Sequence, residues 1–221
     1  MHTLQILLEE GSLVAVDKPS GMLVHRGWGR DRVVAMTVVR DLLGRRVYPV
    51  HRLDRGTSGV LLFALDPGTA RAVQERFQEG RVEKRYLALV RGVAPEAGLI
   101  DHPLPRAKDK RSERIPAVTE FRCVQVVGRY SLVEAVPHTG RLHQVRRHLK
   151  HLSLPLVGDV EYGKGEHNRL FRERHGLHRL ALHAASLALP HPADDRPLRI
   201  EAPLPEDLRG PLVSAGFLLG D

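Results

Sequence analysis

With one cysteine, Cys123, in 221 residues, the chain can close no internal disulfide and can build no thiolate metal site from its own sulfur. Such sparing use of cysteine suits a reducing compartment. Long hydrophobic runs are missing too: nothing approaches the ~18–20 apolar residues that crossing a bilayer takes, and Met1 to Glu10 lacks the basic-then-apolar layout of a signal peptide. A cytoplasmic protein with no membrane partner is therefore expected. Internal repeats, low-complexity tracts and linker-like stretches are also lacking, which leaves one domain over residues 1 to 221 as the expectation. What is present, 42% apolar and 27% charged residues, is the make-up of a folded globular chain and excludes intrinsic disorder.

Charge of one sign is in excess. The net charge is +8 and the isoelectric point about 10.1, a balance that favours a polyanionic partner because neutralising phosphates releases condensed counterions. The excess is concentrated: 11 Lys and Arg face 4 Asp and Glu between Arg106 and His151, against 23 and 22 in the remainder. A solvated basic face is the plain alternative, and charge alone does not separate the two.

Patterning predicts an α+β fold. Ser12 to Asp17 reads as a strand, Lys18-Pro19-Ser20-Gly21 as a turn, and Met22 to His25 as a return strand that would pair with the first. Val50 leads into a polar knot, His51 to Gly59, and then into Val60 to Ala64, a run of strand length that should be buried on both faces. Asp66 and Pro67 have the chemistry of an N-cap and first helical residue; Ala70, Val73 and Phe77 give a helical stripe, and Gly80 stands where a terminating glycine belongs. Tyr86 to Val90, Ala117 to Phe121, Ser131 to Val136 and Leu180 to Leu189 read as further strands, before a proline-rich end from Pro190 to Pro211. Leu142, Val145, Leu149 and Leu152 recur at helical spacing, with Arg141, His143, Arg147, Lys150 and His151 on the other face. The crossings are short, so the central sheet should be mixed and largely antiparallel, with helices and loops flanking it.

The strongest local chemistry is Arg52-Leu53-Asp54-Arg55, a carboxylate between two arginines in a glycine-bounded loop tied to a buried strand. Neighbouring guanidinium groups favour the ionised carboxylate, which could then act as nucleophile or base. Taken alone, the motif is read more readily as an aspartate that closes a turn or pairs with arginine for stability.

Six blocks in one order, between residues 16 and 192, widen the pattern. They are Val16-Asp17-Lys18-Pro19-Ser20-Gly21 with Val24-His25, then His51-Arg52-Leu53-Asp54 with Thr57-Ser58-Gly59, then Lys84-Arg85-Tyr86-Leu87-Ala88-Leu89-Val90. They continue with Thr139-Gly140-Arg141-Leu142-His143-Gln144-Val145-Arg146-Arg147-His148, then Pro155-Leu156-Val157-Gly158-Asp159, and last Arg179-Leu180-Ala181-Leu182-His183-Ala184 with His191-Pro192. The chain resembles the RluA-type pseudouridine synthases from end to end. Val24-His25-Arg26 with Trp28, Val38-Val39-Arg40-Asp41, and Gly176-Leu177-His178-Arg179 are similar to the branch of that family that acts on uridine 65 of tRNA. Val145 stands where leucine is usual, and Pro103 to Pro116 is shorter than that branch leads one to expect.

The resemblance implies the pseudouridine synthase catalytic fold without a separate N-terminal RNA-binding domain, and an isomerase acting on RNA as a monomer with no cofactor and no metal. Carried over by position, it implies that Asp54 is the catalytic aspartate, that Tyr86 packs against the target base, and that Arg146 pairs with Asp54. Helical geometry is compatible, since Arg146 lies ~40° beyond Leu142 at the edge of the apolar stripe and Arg147 ~140° away, facing solvent or phosphate. A uridine in folded RNA has to leave its stack before such chemistry, at a cost of a few kcal/mol. Arg52 is the candidate for holding the vacated space or the target phosphate; Lys108, Lys110, Arg111, Arg141 and Arg147 are candidates for backbone contacts. The same chemistry on ribosomal RNA, and a non-catalytic RNA-binding module, are the rival readings. A metallohydrolase is disfavoured: His143, His148 and His151 contain no i, i+4 pair, and no cysteine lies near them.

Overall fold

The computed structural model describes residues 4–26, 33–107, 109 and 111–220. The chain divides into two compact units, Met1–Glu83 with Ala184–Pro203, and Lys84–His183 with Leu204–Asp221. Among the described residues, largely antiparallel strands and five helices make up the α+β fold expected from the sequence.

In the first unit, β1 (Gln5–Glu10) and β2 (Leu13–Lys18) pair antiparallel about Gly11, which adopts φ +56. The partner of the first strand therefore precedes it, and Met22 to His25, expected to be a return strand, is not one. The carbonyls of Leu23 and Val24 instead accept from the N–H groups of Ala35 and Met36 at 2.8 and 3.0 Å, satisfying the first turn of α1 (Ala35–Leu43), a helix absent from the sequence reading. After β3 (Tyr48–Pro49), β4 (Ser58–Ala64) is buried at every position, as its unbroken apolar run predicts, and pairs with both β2 and β3. Asp66 caps α2 (Pro67–Gln78), accepting from Thr69 N–H at 2.8 Å, and Gly80 follows at φ +72. Ala70 and Val73 of that helix pack on Leu13, Val60, Leu62, Leu187 and Ile200.

The second unit orders its strands β5 (Glu83–Arg91), β10 (Tyr130–Pro137), β9 (Val118–Val127) and β6 (Ala97–Asp101), with antiparallel registers throughout. The basic loop carries a small hairpin of β7 (Leu104–Pro105) and β8 (Arg114–Ile115). Across the sheet lies α3 (Gln144–His151), whose Val145 and Leu149 pack against Ala88, Val90, Phe121 and Val133. Its extent is shorter than the periodicity suggests: His143 takes a left-handed φ of +52 at the N-cap, so Leu142 precedes the helix, and Leu152 at the C-cap is exposed. A second cluster joins Leu89, Leu132 and Val157 to α4 (Gly165–His175) and α5 (Glu206–Ser214), neither of which the sequence pattern disclosed. Strand β11 (Leu182–Pro190) runs from the second unit into the first, where β12 (Pro197–Glu201) pairs with it.

Candidate active site

Asp54 sits half-buried between strands of the first unit, so its side chain is neither sealed in the core nor fully in solvent. Its loop is tied down from below. Thr57 N–H donates to the Asp54 carbonyl at 3.1 Å, Gly21 N–H to the Arg55 carbonyl at 2.8 Å, and Ser20 Oγ to the Gly56 carbonyl at 2.8 Å. Lys18, fully buried, turns its ammonium onto three carbonyls, those of Pro19, Met22 and Arg55, at 2.9, 2.8 and 3.4 Å. Three donors with no acceptor capacity make an ammonium well suited to gathering carbonyls from two separate loops. His51, at the head of the knot, accepts from Leu62 N–H of β4 through Nε2 at 3.0 Å and stacks on Phe77 of α2. Gly59 closes the loop at φ +111, where a Cβ would drive into the Ala184 carbonyl of β11. The knot is therefore a rigid platform, and Arg52 beside Asp54 is exposed on it.

In the second unit Tyr86 lies on β5 opposite Ala135 of β10 and packs, half-buried, against the cluster that includes Val145 and Leu149. Arg146, 8% exposed, emerges from α3 onto Asp159, with Nε and Nη2 donating to the two carboxylate oxygens at 2.8 and 2.9 Å. Burial pushes the Asp159 carboxyl up, yet the Arg146 guanidinium and the N–H groups of Tyr162 and Glu161 outweigh it and hold the carboxyl below its usual value. The N-terminus of α3 is fixed by Gln144, whose Nε2 donates to the Val118 carbonyl and Thr119 Oγ1 at 2.9 and 3.0 Å, while its Oε1 accepts from Thr139 Oγ1 and Arg141 N–H at 2.6 and 3.0 Å. His148 is buried between Thr119 Oγ1 and the His102 carbonyl at 2.8 and 3.0 Å. The carbonyl can only accept, so Nε2 carries the proton, and burial favours that neutral ring. Its role is to join α3 to the sheet.

The basic residues divide. Arg111 is exposed beside Asp109, and Lys108 and Lys110 lie outside the described residues. Arg141 and Arg147, expected to face solvent or phosphate, bind carbonyls: Arg141 Nε donates to Pro116 at 2.9 Å, and Arg147 Nη1 to Pro105 and Leu142 at 3.2 Å each. Both are partly exposed, so they secure the hairpin while keeping charge at the surface. Stacked rings of His102 and His151, 3.8 Å apart, with Arg114 Nη2 2.8 Å from His102 Nε2, extend this face in a way no spacing rule could have disclosed. Among the described residues no helix is long and apolar enough to cross a membrane, and no group of three His, Cys, Asp or Glu could hold a metal ion.

Lys84, two residues before Tyr86, donates to the Thr139 carbonyl at 3.2 Å, and burial pushes its amine down to about 8 from 10.5. The ammonium is the form that burial penalises, so the folded state is handicapped below pH 8 and relieved as pH rises toward 10.5. A Lys84→Met variant is expected to gain ~1–3 kcal/mol in urea unfolding at neutral pH, the gain shrinking through alkaline pH. A constant difference across that range would place the cause elsewhere.

A model of the RNA pseudouridylate synthase family matches residues 12–151, a span that holds the Asp54 platform, Tyr86 and Arg146. The chain is 43% identical to tRNA pseudouridine synthase C of Vibrio cholerae serotype O1, over 97% of this chain and 96% of that one. It is also 43% identical to tRNA pseudouridine synthase C of Haemophilus ducreyi, with 90% of each covered. Among solved structures, human RNA Pseudouridylate Synthase Domain Containing 4 superposes with a TM-score of 0.81 at 28% identity, covering 98% of this chain and 95% of that chain. Human RNA Pseudouridylate Synthase Domain Containing 1 gives 0.76 at 26%, covering 93% and 86%. Identity at this level over nearly the whole length, together with one shared fold, places the chain in the RNA pseudouridylate synthase family.

Proposed function

We propose that this enzyme converts a uridine of tRNA, at position 65, to pseudouridine, acting as a cytoplasmic monomer with Asp54 as its catalytic carboxylate. The observation that carries the tRNA assignment is the near full-length identity to proteins named tRNA pseudouridine synthase C. The reaction is an isomerisation: the bond from N1 to ribose C1′ breaks, the uracil turns, C5 bonds to C1′, and a proton leaves C5 while N1 gains one. No atoms are added and no electrons are transferred, so general acid–base and nucleophilic groups suffice. Asp54 can attack the sugar, add to the base or abstract a sugar proton; each route needs a rigidly held carboxylate within reach of solvent-borne RNA. Tyr86 supplies a face for the extruded base, Arg146 the charge partner of Asp54, and Arg52 the group that holds the vacated space or the target phosphate.

Backbone contacts fall to Lys108, Lys110, Arg111, Arg141 and Arg147 in this reading. Arg147→Ala and Lys110→Ala are each expected to weaken tRNA binding and to lower the slope of log K against log salt by roughly one unit. Unchanged slopes in both would remove this face from the interface. The assignment itself is tested by mapping pseudouridine in RNA from cells lacking the gene: loss at tRNA position 65 supports it, and loss confined to ribosomal RNA replaces the substrate while keeping the chemistry.

A further inference from the structure

Two imidazoles and a guanidinium meet on the basic face of the second unit. His102 follows β6 and His151 ends α3; their rings stack with centroids 3.8 Å apart and planes within 17°. Arg114 of β8 reaches the same ring, its Nη2 lying 2.8 Å from His102 Nε2 and donating to the Pro103 carbonyl at 2.6 Å. A guanidinium only donates, so Nε2 accepts, and the ring is the neutral tautomer with its hydrogen on Nδ1. His102 is partly exposed, and His151 and Arg114 are exposed, so the stack lies at the surface.

The titratable and charged groups facing the His102 ring come from two elements: Arg114 from β8, and Arg147 and His151 from α3, with His148 behind it on the His102 carbonyl. Burial first, then His151, Arg114 and Arg147, hold the ring below the ordinary histidine value. Carboxylates of the hairpin are turned to other partners: Asp109 Oδ1 accepts from Arg111 N–H at 2.9 Å, and Glu113 Oε2 lies 3.6 Å from Arg106 Nε. A proton on Nε2 would set donor against donor and cation beside cation, and an arriving anion removes that opposition. Fastening the hairpin needs no titratable ring, because Arg147 Nη1 already donates to the Pro105 carbonyl and Arg141 Nε to the Pro116 carbonyl.

We propose that His102, stacked on His151 and held by Arg114, is a protonation-linked phosphate contact that takes up one proton from solvent when the RNA backbone docks on this face. The inference rests on the reading above that this face meets the RNA backbone. A phosphodiester oxygen is anionic and accepts only, so Arg114 can exchange the imidazole for it; the freed Nε2 then binds a proton and donates it to the same anion. Dissociation returns that proton to solvent. Since the bound anion raises the midpoint of the ring, affinity is flat above the bound midpoint, rises as pH falls through it, and levels off below the free midpoint.

The test compares tRNA affinity from pH 8 to pH 6, at constant ionic strength, for the unaltered protein and His102→Gln, whose amide oxygen keeps an acceptor for Arg114. The unaltered protein is expected to bind roughly fivefold tighter at pH 6 than at pH 8. His102→Gln should match it within about twofold at pH 8, where the ring is neutral, and lose most of the gain at pH 6. The same pH dependence in both proteins, or a uniform weakening by His102→Gln at every pH, would overturn the proposal. If the variant does not fold, an NMR titration of the His102 ring in the unaltered protein decides: its midpoint rises on binding tRNA if the proposal holds, and an unmoved midpoint refutes it. Failure of the underlying reading looks different, because Arg147→Ala and Lys110→Ala would then leave the salt slope unchanged; failure of this inference alone lowers those slopes while His102→Gln keeps the full pH dependence.

Discussion

Asp54→Asn is expected to form no pseudouridine above background while binding tRNA within about tenfold of the unaltered protein. The amide has the size and shape of the carboxylate, and the anchors of its loop run through the carbonyls of Asp54, Arg55 and Gly56, which the substitution leaves in place. What is lost is the negative charge and the basicity of the oxygens, so neither attack nor proton abstraction remains. Enzymes commonly exceed the uncatalysed rate by ~10⁶-fold or more, and the greater part of that factor should vanish. Tritium release from C5-labelled uridine in tRNA measures it directly. Normal turnover would reject Asp54 as the catalytic group, and loss of binding in step with activity would make its role one of substrate affinity.

Removing the guanidinium by Arg146→Met should cost about 3–5 kcal/mol of unfolding free energy, because it leaves the carboxylate of Asp159 buried without its ion partner. Against the ~5–15 kcal/mol typical of a folded domain this is a large fraction. The cause predicts a remedy: Arg146→Met combined with Asp159→Asn removes both charges of this buried pair and should recover much of the stability, though none of the activity. Urea denaturation of the two variants checks this. Equal stability of single and double variants would show that Asp159 finds another partner or water. Lowering pH offers a parallel reading, since Asp159 has a depressed carboxyl value; its stabilising contribution is complete above the ordinary carboxylate range and falls away in acid as the folded group takes up a proton.

Elements with a strong local signal were readable before any coordinates. The unbroken apolar run of β4 is buried at all positions, and the Asp66 cap, Pro67 start and Gly80 stop of α2 stand where capping chemistry put them. Strands β5 and β10 contain the runs expected of them. Helices α1, α4 and α5 were not readable, each for a physical reason. Val34 at the cap of α1 offers no side-chain acceptor, and Leu23 and Val24 satisfy its first turn from outside the helix. In α4 burial falls on His167 and Phe171 within a run otherwise rich in charge, too few apolar positions to form a stripe. Pro211 lies inside α5, which local rules read as a break; Leu208, Leu212 and Phe217 packing on Leu132 and Phe171 override it. The return strand expected at Met22 to His25 failed similarly, because β1 had already taken the edge of β2.

For the site, sequence by itself determined the class of chemistry. The Arg52-Leu53-Asp54 loop, the Lys84-Arg85-Tyr86 strand and the Gln144-Val145-Arg146 helix are local patterns of residue types, recognisable as blocks in one order without any coordinates. Tertiary structure alone decided which groups hold them: Lys18 reaching 37 residues along the chain to Arg55, Asp159 closing on Arg146 from 13 residues away, and His148 buried as a neutral strut between Thr119 and the His102 carbonyl. Periodicity reports how much of a side chain is buried, but it carries no record of which partner a buried charge will meet. That choice is made by the approach of segments distant in sequence, where an ion is tolerated only if the fold delivers its counter-charge or its carbonyls to within hydrogen-bonding distance.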